Sequence, residues 1–448
     1  MNRNLLPSVC VLLVSSSMVF ASLRTGTTQD GQEQVLDASM HHFGDDSTPE
    51  WPEAPPEPEG SGLSFEFEST VNRGEWSLAF FQRHISNTWK IEINGKTIAT
   101  VRKSDALIES YVAVPPQTLV DGTNHFKLTT DSPSDDITFG RIRLLHTTIR
   151  DALNLVSVSL VVREETTLNH IPARVTVTNP AGQLLPIYFA ENLHQATREG
   201  VVYTDTGAVH FEVPAGDIHV VASRGPEWSI ASLDLALVRP IEATFGGLRA
   251  PDGALTLARE VDTTGFISCD THIHTLTFSG HGDSSVEERM VTLAGEGVEL
   301  AISTDHNHNT DYAPYQERMG LGEHFTTVVG NEVTTPIGHF NAFPLNPEDE
   351  VPPHDLHDMV QLVDGMRAAG AKVVILNHPR WPSHAKGPFG VGELNHYTGD
   401  SQPVHGSSNY PFDAMELVNS CTSEDDPMLE DKPSKGPTST SIPIRRTS

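Results

Sequence analysis

Three cysteines in 448 residues are too few to staple a fold, so a packed core and not a disulfide framework must hold this chain together. Cys10 falls in the N-terminal leader, and Cys269 is expected to pack as a small core residue of a strand. Basic side chains are scarce too. With 29 Lys and Arg against 59 Asp and Glu, the formal charge is -30, which repels nucleic acid and anionic lipid and disfavours both as partners. That acidity serves solubility and does not by itself select a cationic substrate. Beyond residue 21 no apolar run is long enough to cross a bilayer, so no membrane span is expected in the mature chain. Helical periodicity is also absent from about 61 to 150.

What is present divides the chain into segments. Residues 1–21 read as a signal peptide: Arg3, an apolar run from Leu5 to Phe20, and Val19-Phe20-Ala21 before the cleavage point. Export to the periplasm, the cell surface or the medium follows. Residues 22–60 are polar, lack periodicity and end in a stretch dense in Pro and Glu, so a disordered linker is expected, with His41-His42 as a solvated pair.

From 61 to 150 short segments alternate apolar with polar, as in Ser64–Glu68, Trp89–Ile93 and Phe126–Thr130, and Asn94-Gly95 is a hairpin signal. A β-sandwich is expected, and the run from Trp89 through Leu119-Val-Asp-Gly-Thr-Asn124 resembles galactose-binding jelly-roll modules. That resemblance implies carbohydrate or cell-surface contact through Trp76 and Trp89; the base rate for buried aromatics favours core tryptophans. Residues 151–262 alternate again, and Val213-Pro-Ala-Gly216 resembles the carboxypeptidase-regulatory type of sandwich. From 263 to 420 strands alternate with helices opened by Ser284-Ser-Val-Glu287 and by the Met359–Met366 stripe, which argues for parallel strands with crossover helices. Residues 421–448 have the composition of a disordered tail.

The chemistry is concentrated in this third segment. A single His-x-His means little in a chain with 22 histidines. Here, however, His272 and His274, Asp305 and His306, Glu332, and His378 each follow a short apolar run, and open α/β sheets place their sites beyond the carboxyl ends of strands. Imidazoles mixed with carboxylates suit zinc, manganese or iron and disfavour calcium. In a strand-like run His272 and His274 point to one side, so both can reach one ion.

Asp270-Thr-His-Ile-His-Thr275, Ser279-Gly-His-Gly-Asp283, Thr304-Asp-His-Asn307, Gly330-Asn-Glu332, Gly338-His339 and Asn377-His-Pro379 follow one another in the order of the PHP (polymerase and histidinol phosphatase) superfamily, and most resemble its carbaryl-hydrolase-like branch. The resemblance implies a (β/α)7 barrel after the two sandwiches, with two or three divalent transition ions. It implies His272, His274 and Glu332 on the first ion, Glu332, His378 and His339 on the second, and His306 with His281 or Asp283 on the third. Glu332, His306 and Asp305 take the catalytic positions, and Asp270 and Asp305 also sit where they would orient an imidazole. The family's closing Ser-Asp-x-His motif has no counterpart after His378, and 155 residues are few for a closed barrel. An incomplete barrel, from a frame truncated or shifted near codon 420, is therefore expected. The function implied is an exported metal-dependent hydrolase of phosphoester or carbamate and carboxyl ester bonds, in a small molecule or a polymer. The alternative is a non-catalytic surface binding protein with two sandwich modules and a decayed PHP remnant.

Overall fold

Alternating sequence builds eight strands before residue 146: β1 (Glu33–Phe43), β2 (Gly62–Ser69), β3 (Trp76–Arg83), β4 (Trp89–Ile93), β5 (Lys96–Thr100), β6 (Ile108–Val114), β7 (Gly122–Thr130) and β8 (Ile137–Leu145). They form two four-stranded sheets, β1-β8-β3-β6 and β2-β7-β4-β5. Trp89, Ile91 and Ile93 face inward from β4, and meet Phe80, Phe126 and Phe139 in one core. The computed structural model describes residues 33–44, 51–132, 135–188, 192–238, 254–280, 282–379 and 411–416, with Pro388. The expected signal peptide, His281, nearly all of residues 384–411 and the tail lie outside the described residues.

Strand β1 corrects the expected linker. It pairs antiparallel with β8, and Phe43 is buried in the first core. Its register shifts twice, between Val35 and Asp37 and between Asp37 and Met40, and such bulges erase the period of two by which a strand is read. His42 is not solvated: it is 1% exposed, with Nε2 2.8 Å from Asp136 Oδ1 and Nδ1 3.0 Å from the Pro55 carbonyl. Trp51 is buried in the same corner, and Glu59 N donates to the His42 carbonyl at 2.7 Å, so residues 51–60 are docked against the end of β1.

After the one-turn helix α1 (Ile149–Ala152), the second sandwich has β9 (Leu155–Glu164), β10 (Ala173–Thr178), β11 (Gln195–Arg198), β12 (Val201–Thr204), β13 (Ala208–Pro214), β14 (Gly216–Ser223), β15 (Ala231–Leu237) and β16 (Ala254–Leu257). Its sheets are β11-β12-β10-β14-β15 and β13-β9-β16, closed over Val158, Val175, Phe211 and Val220.

The third region holds β17 (Cys269–Ile273), α2 (Leu276–Ser279), α3 (Val286–Gly295), β18 (Leu300–Ser303), α4 (Ala313–Arg318), β19 (Thr326–Val329), β20 (Asn331–Thr335), β21 (Gly338–Phe343), α5 (Met359–Ala368), β22 (Val373–Leu376) and β23 (Ala414–Met415). Helix α3 has its capping box one residue later than expected, at Ser285 and Glu288. Strands β17, β18 and β19 are parallel, as the strand–helix alternation requires.

The (β/α)7 barrel expectation fails after that. Only Gly330 separates β19 from β20, and only Pro336 and Ile337 separate β20 from β21. Links so short cannot carry a crossover helix, so β20, β21 and β22 run antiparallel in a second small sheet with β23. The two sheets meet through a parallel bridge between His306 and Glu332. Across the described residues the chain is dominated by small β-sheets and not by a barrel. Cys269 is a second correction: it lies exposed at the start of β17 and not in the core.

The third region is bolted to the second sandwich. Arg198 of β11 reaches Asp283 Oδ2 at 2.8 Å and Glu288 Oε1 at 2.9 Å, and Tyr203 donates to Glu296 at 2.8 Å. Ala196 and Tyr203 join the core made by Met290, Leu293 and Ala294 of α3. A Cβ on Gly295 would stand 2.9 Å from the Tyr203 ring and 3.0 Å from the Ala173 carbonyl, which is why the helix can approach this closely.

Candidate metal centre

Glu332 is fully buried in β20, with its carboxylate ringed by five imidazoles. Oε1 lies 3.3 Å from His272 Nε2, 3.2 Å from His339 Nδ1 and 3.1 Å from His378 Nε2. Oε2 lies 3.0 Å from both His274 Nε2 and His306 Nδ1. His272 lies in β17 and His274 just past it, His306 past β18, His339 in β21 and His378 past β22, so six residues from five strand ends converge. Two sets could each hold an ion: His272, Glu332 and His378, and His274, His306 and Glu332.

The expected sharing is therefore redrawn. His272 and His274 flank the same carboxylate, but on different oxygens, with their Nε2 atoms 3.0 Å apart. Each set offers imidazole nitrogen and a carboxylate oxygen, a donor mixture suited to zinc, manganese or iron. Oε2 supplies the test of fit. It is buried, and the two nitrogens 3.0 Å away make no hydrogen bond to it. A buried anionic oxygen left in that state is costly, and a cation between it and the rings removes the cost.

The surrounding contacts fix the rings. His272 Nδ1 meets Glu416 Oε1 at 2.5 Å, His274 Nδ1 meets Ser279 Oγ at 3.1 Å, and His306 Nδ1 meets Thr334 Oγ1 at 2.7 Å. Asn377 Nδ2 donates to Glu332 Oε1 at 2.8 Å. Asp305 is fully buried and accepts from Thr275 N, Thr275 Oγ1, Ser279 Oγ and Tyr312 OH. It reaches His274 through Ser279, which makes it a positioning group. Asp270 accepts from the backbone N–H of His272 at 3.1 Å. Asp283, the expected alternative to His281, is instead drawn off by Arg198.

Charges in the cluster are strongly coupled. Burial lowers the His272 pKa, but Glu332 and Glu416 outweigh it and raise it to about 10. Burial dominates at His274, whose pKa falls to about 4 with the help of the His272 and His306 charges. Burial would raise Glu332, and the surrounding imidazoles overcome it to hold its carboxyl well below the ordinary value. At pH 7 His274 is thus ready to ligate, whereas His272 must lose a proton. Zinc affinity is expected to rise with pH up to about 10, roughly tenfold per unit while one proton is displaced. Competition titrations at several pH values check this, and a flat profile contradicts it.

No protein-family model and no curated protein sequence matches this chain. Among solved structures it is similar to the CBM36-1 domain of a multidomain xylanase from the hindgut metagenome of Trinervitermes trinervoides, with 15% identity, a TM-score of 0.20, and 26% of this chain and 99% of that one covered. It is similar to the FMN-binding beta-glucuronidase from Facaelibacterium prausnitzii L2-6 at 10% identity and a TM-score of 0.21, covering 66% of this chain and 52% of that one. A third similarity is to the group B streptococcus pilus 2b backbone protein, at 11% identity and a TM-score of 0.17 over 52% of this chain and 100% of that one. The chain spans about half the length of the beta-glucuronidase. At these TM-scores the overlaps carry no weight for function.

Proposed function

We propose that this chain is a metal-binding protein whose centre serves hydrolysis of ester bonds, in the manner of PHP-type hydrolases, with the two β-sandwiches as accessory modules. One observation carries the reading: the two oxygens of a single buried carboxylate each face their own set of imidazoles. A carboxylate so placed would serve as the shared anionic ligand of two ions. Divalent ions held there would lower the pKa of a water and offset charge developing on a phosphoryl or carbonyl oxygen. Glu332 with His272 and His378 on one side and His274 and His306 on the other would hold the ions, Ser279, Thr334 and Glu416 fix ring orientation, and Asp305 anchors Ser279.

A second reading, a non-catalytic binding protein, is favoured by a different observation. The two sandwiches close separate cores of their own. A cavity of about 230 Å³ lies between the second sandwich and α3, lined by Arg174, Arg198, Tyr203 and Asp270, and not over Glu332. Both readings place the mature protein outside the cytoplasm, as the leader implies.

Metal analysis of purified protein, paired with turnover of an aryl phosphate and an aryl ester, separates the readings. The hydrolase reading expects about two transition ions per chain and turnover that falls at least a hundredfold in His272→Ala and in His378→Ala. Bound metal without turnover leaves the binding reading. Absence of bound metal rejects the centre itself.

A further inference from the structure

Glu416 acts on one cluster from outside it. It follows β23, and its backbone N–H donates to the Leu376 carbonyl at 2.9 Å, which docks it beside the end of β22. One carboxylate oxygen meets His272 Nδ1 at 2.5 Å. The other accepts the backbone N–H of His378 at 2.6 Å. His378 has φ of 24°, in the left-handed half of backbone space that a non-glycine residue occupies only when its surroundings hold it there. The chain reaches this conformation at the very residue whose ring meets Glu332 Oε1 at 3.1 Å.

We propose that Glu416 is a positioning residue for the ion site on the Oε1 side of Glu332. By holding the Nδ1 proton of His272, the carboxylate makes Nε2, the atom 3.3 Å from Glu332 Oε1, the nitrogen that gives up its proton and faces an ion. The second oxygen, by taking the His378 amide, holds the backbone that aims the other imidazole. One side chain therefore sets both histidines of one site. The Oε2 site is oriented by different groups, Ser279 on His274 and Thr334 on His306. The consequence is selective: loss of Glu416 weakens one ion and spares the other.

This inference rests on the two-ion reading above, and the test keeps the two apart. In the full chain, His274→Ala leaves the Oε1 site and His378→Ala leaves the Oε2 site. Glu416→Gln, which keeps the size of the side chain but not both acceptor oxygens, is placed in each background. Zinc affinity is then measured by competition with a chromophoric chelator, alongside the visible spectrum of the cobalt form. Affinity is expected to fall about tenfold or more in the first background, with a changed cobalt spectrum, and to stay within about twofold in the second. Glu416→Ala should enlarge the loss in the first background alone. Equal losses in both backgrounds, or no loss in the first, overturn the role of Glu416 while leaving the two-ion centre standing. A parent chain that takes up no zinc overturns both.

Discussion

On the two-ion reading proposed above, Glu332→Gln is expected to take the chain from two bound transition ions to none. The amide keeps the shape but removes the charge that both imidazole sets share, and each ion loses its anionic ligand. A loss of about a hundredfold or more in each affinity is the expected scale, larger than for any single histidine, because a histidine serves one ion only. Isothermal titration with zinc reads the stoichiometry directly. One ion retained at parental affinity would mean that the carboxylate does not bridge.

The same substitution alters the ion-free protein. His272 titrates near 10 in the fold, so its stabilising contribution is fully present below its ordinary value of 6.5 and is lost as pH rises through about 10. Glu332 works in the opposite sense: with its pKa held down, its contribution is present above the ordinary 4.5 and is lost as pH falls below that. Between those limits Glu332→Gln leaves a part-buried imidazolium with Glu416 alone as its counter-charge. The expected cost at pH 7 is about 2 kcal/mol, set against the range for breaking a buried pair and reduced because His272 can shed its proton. Chelator-treated protein followed by thermal unfolding between pH 5 and 10 should show the parent's midpoint falling toward high pH, and a smaller fall in the variant.

Trp89→Ala is expected to be the most destabilising change in the first sandwich, at about 3–5 kcal/mol. The indole is fully buried, and its Nε1 donates to Asp135 Oδ2 at 2.7 Å. That carboxylate also accepts from the backbone N–H groups of Ser86 and Asn87, so truncation opens a cavity and removes one of the bonds that satisfy a buried acid. For a module of about this size the midpoint should drop by roughly 12 °C or more, as read by calorimetry. Trp89→Phe should cost less, since it refills most of the volume and loses only the hydrogen bond. A change in carbohydrate binding with an unaltered midpoint would instead make Trp89 a surface platform. The geometry opposes that: no face of the ring reaches solvent. Trp76, half-buried and stacked 4.1 Å from the His146 ring, is likewise engaged within the protein.

The sequence carried those parts of the fold that depend on local pattern. Strands with unbroken alternation, such as Trp89–Ile93 and Ala173–Thr178, stand where the period of two puts them. So does α5, closed at Ala368 just before Gly370. What failed was set by tertiary context. Strand β1 was hidden by its bulges, and its partner β8 lies about a hundred residues away. The barrel expectation failed at Gly330 and at Pro336-Ile337, where loop length, a quantity plainly written in the chain, outranks the strand–helix rhythm around it. At the candidate centre, the convergence of His272, His274, His306, His339 and His378 on Glu332 was legible because most of them follow a strand end in sequence. Their division between two oxygens was not, since it depends on ring directions that spacing does not encode. Glu416, Ser279 and Thr334 were invisible for a related reason: common polar residues become informative only once the imidazoles they touch have been placed.

The salt links made by Arg198, together with the Ala196 and Tyr203 side chains inserted beside α3, bear on how such a protein can be divided. A cut at residue 262 follows the boundary written in the sequence, yet it would strip α3 of its contacts with Ala196 and Tyr203 and leave Asp283 and Glu288 without their arginine. The segment that carries the centre leans on the second sandwich, so a fragment starting at residue 263 is expected to be less stable than one that keeps residues 151–262.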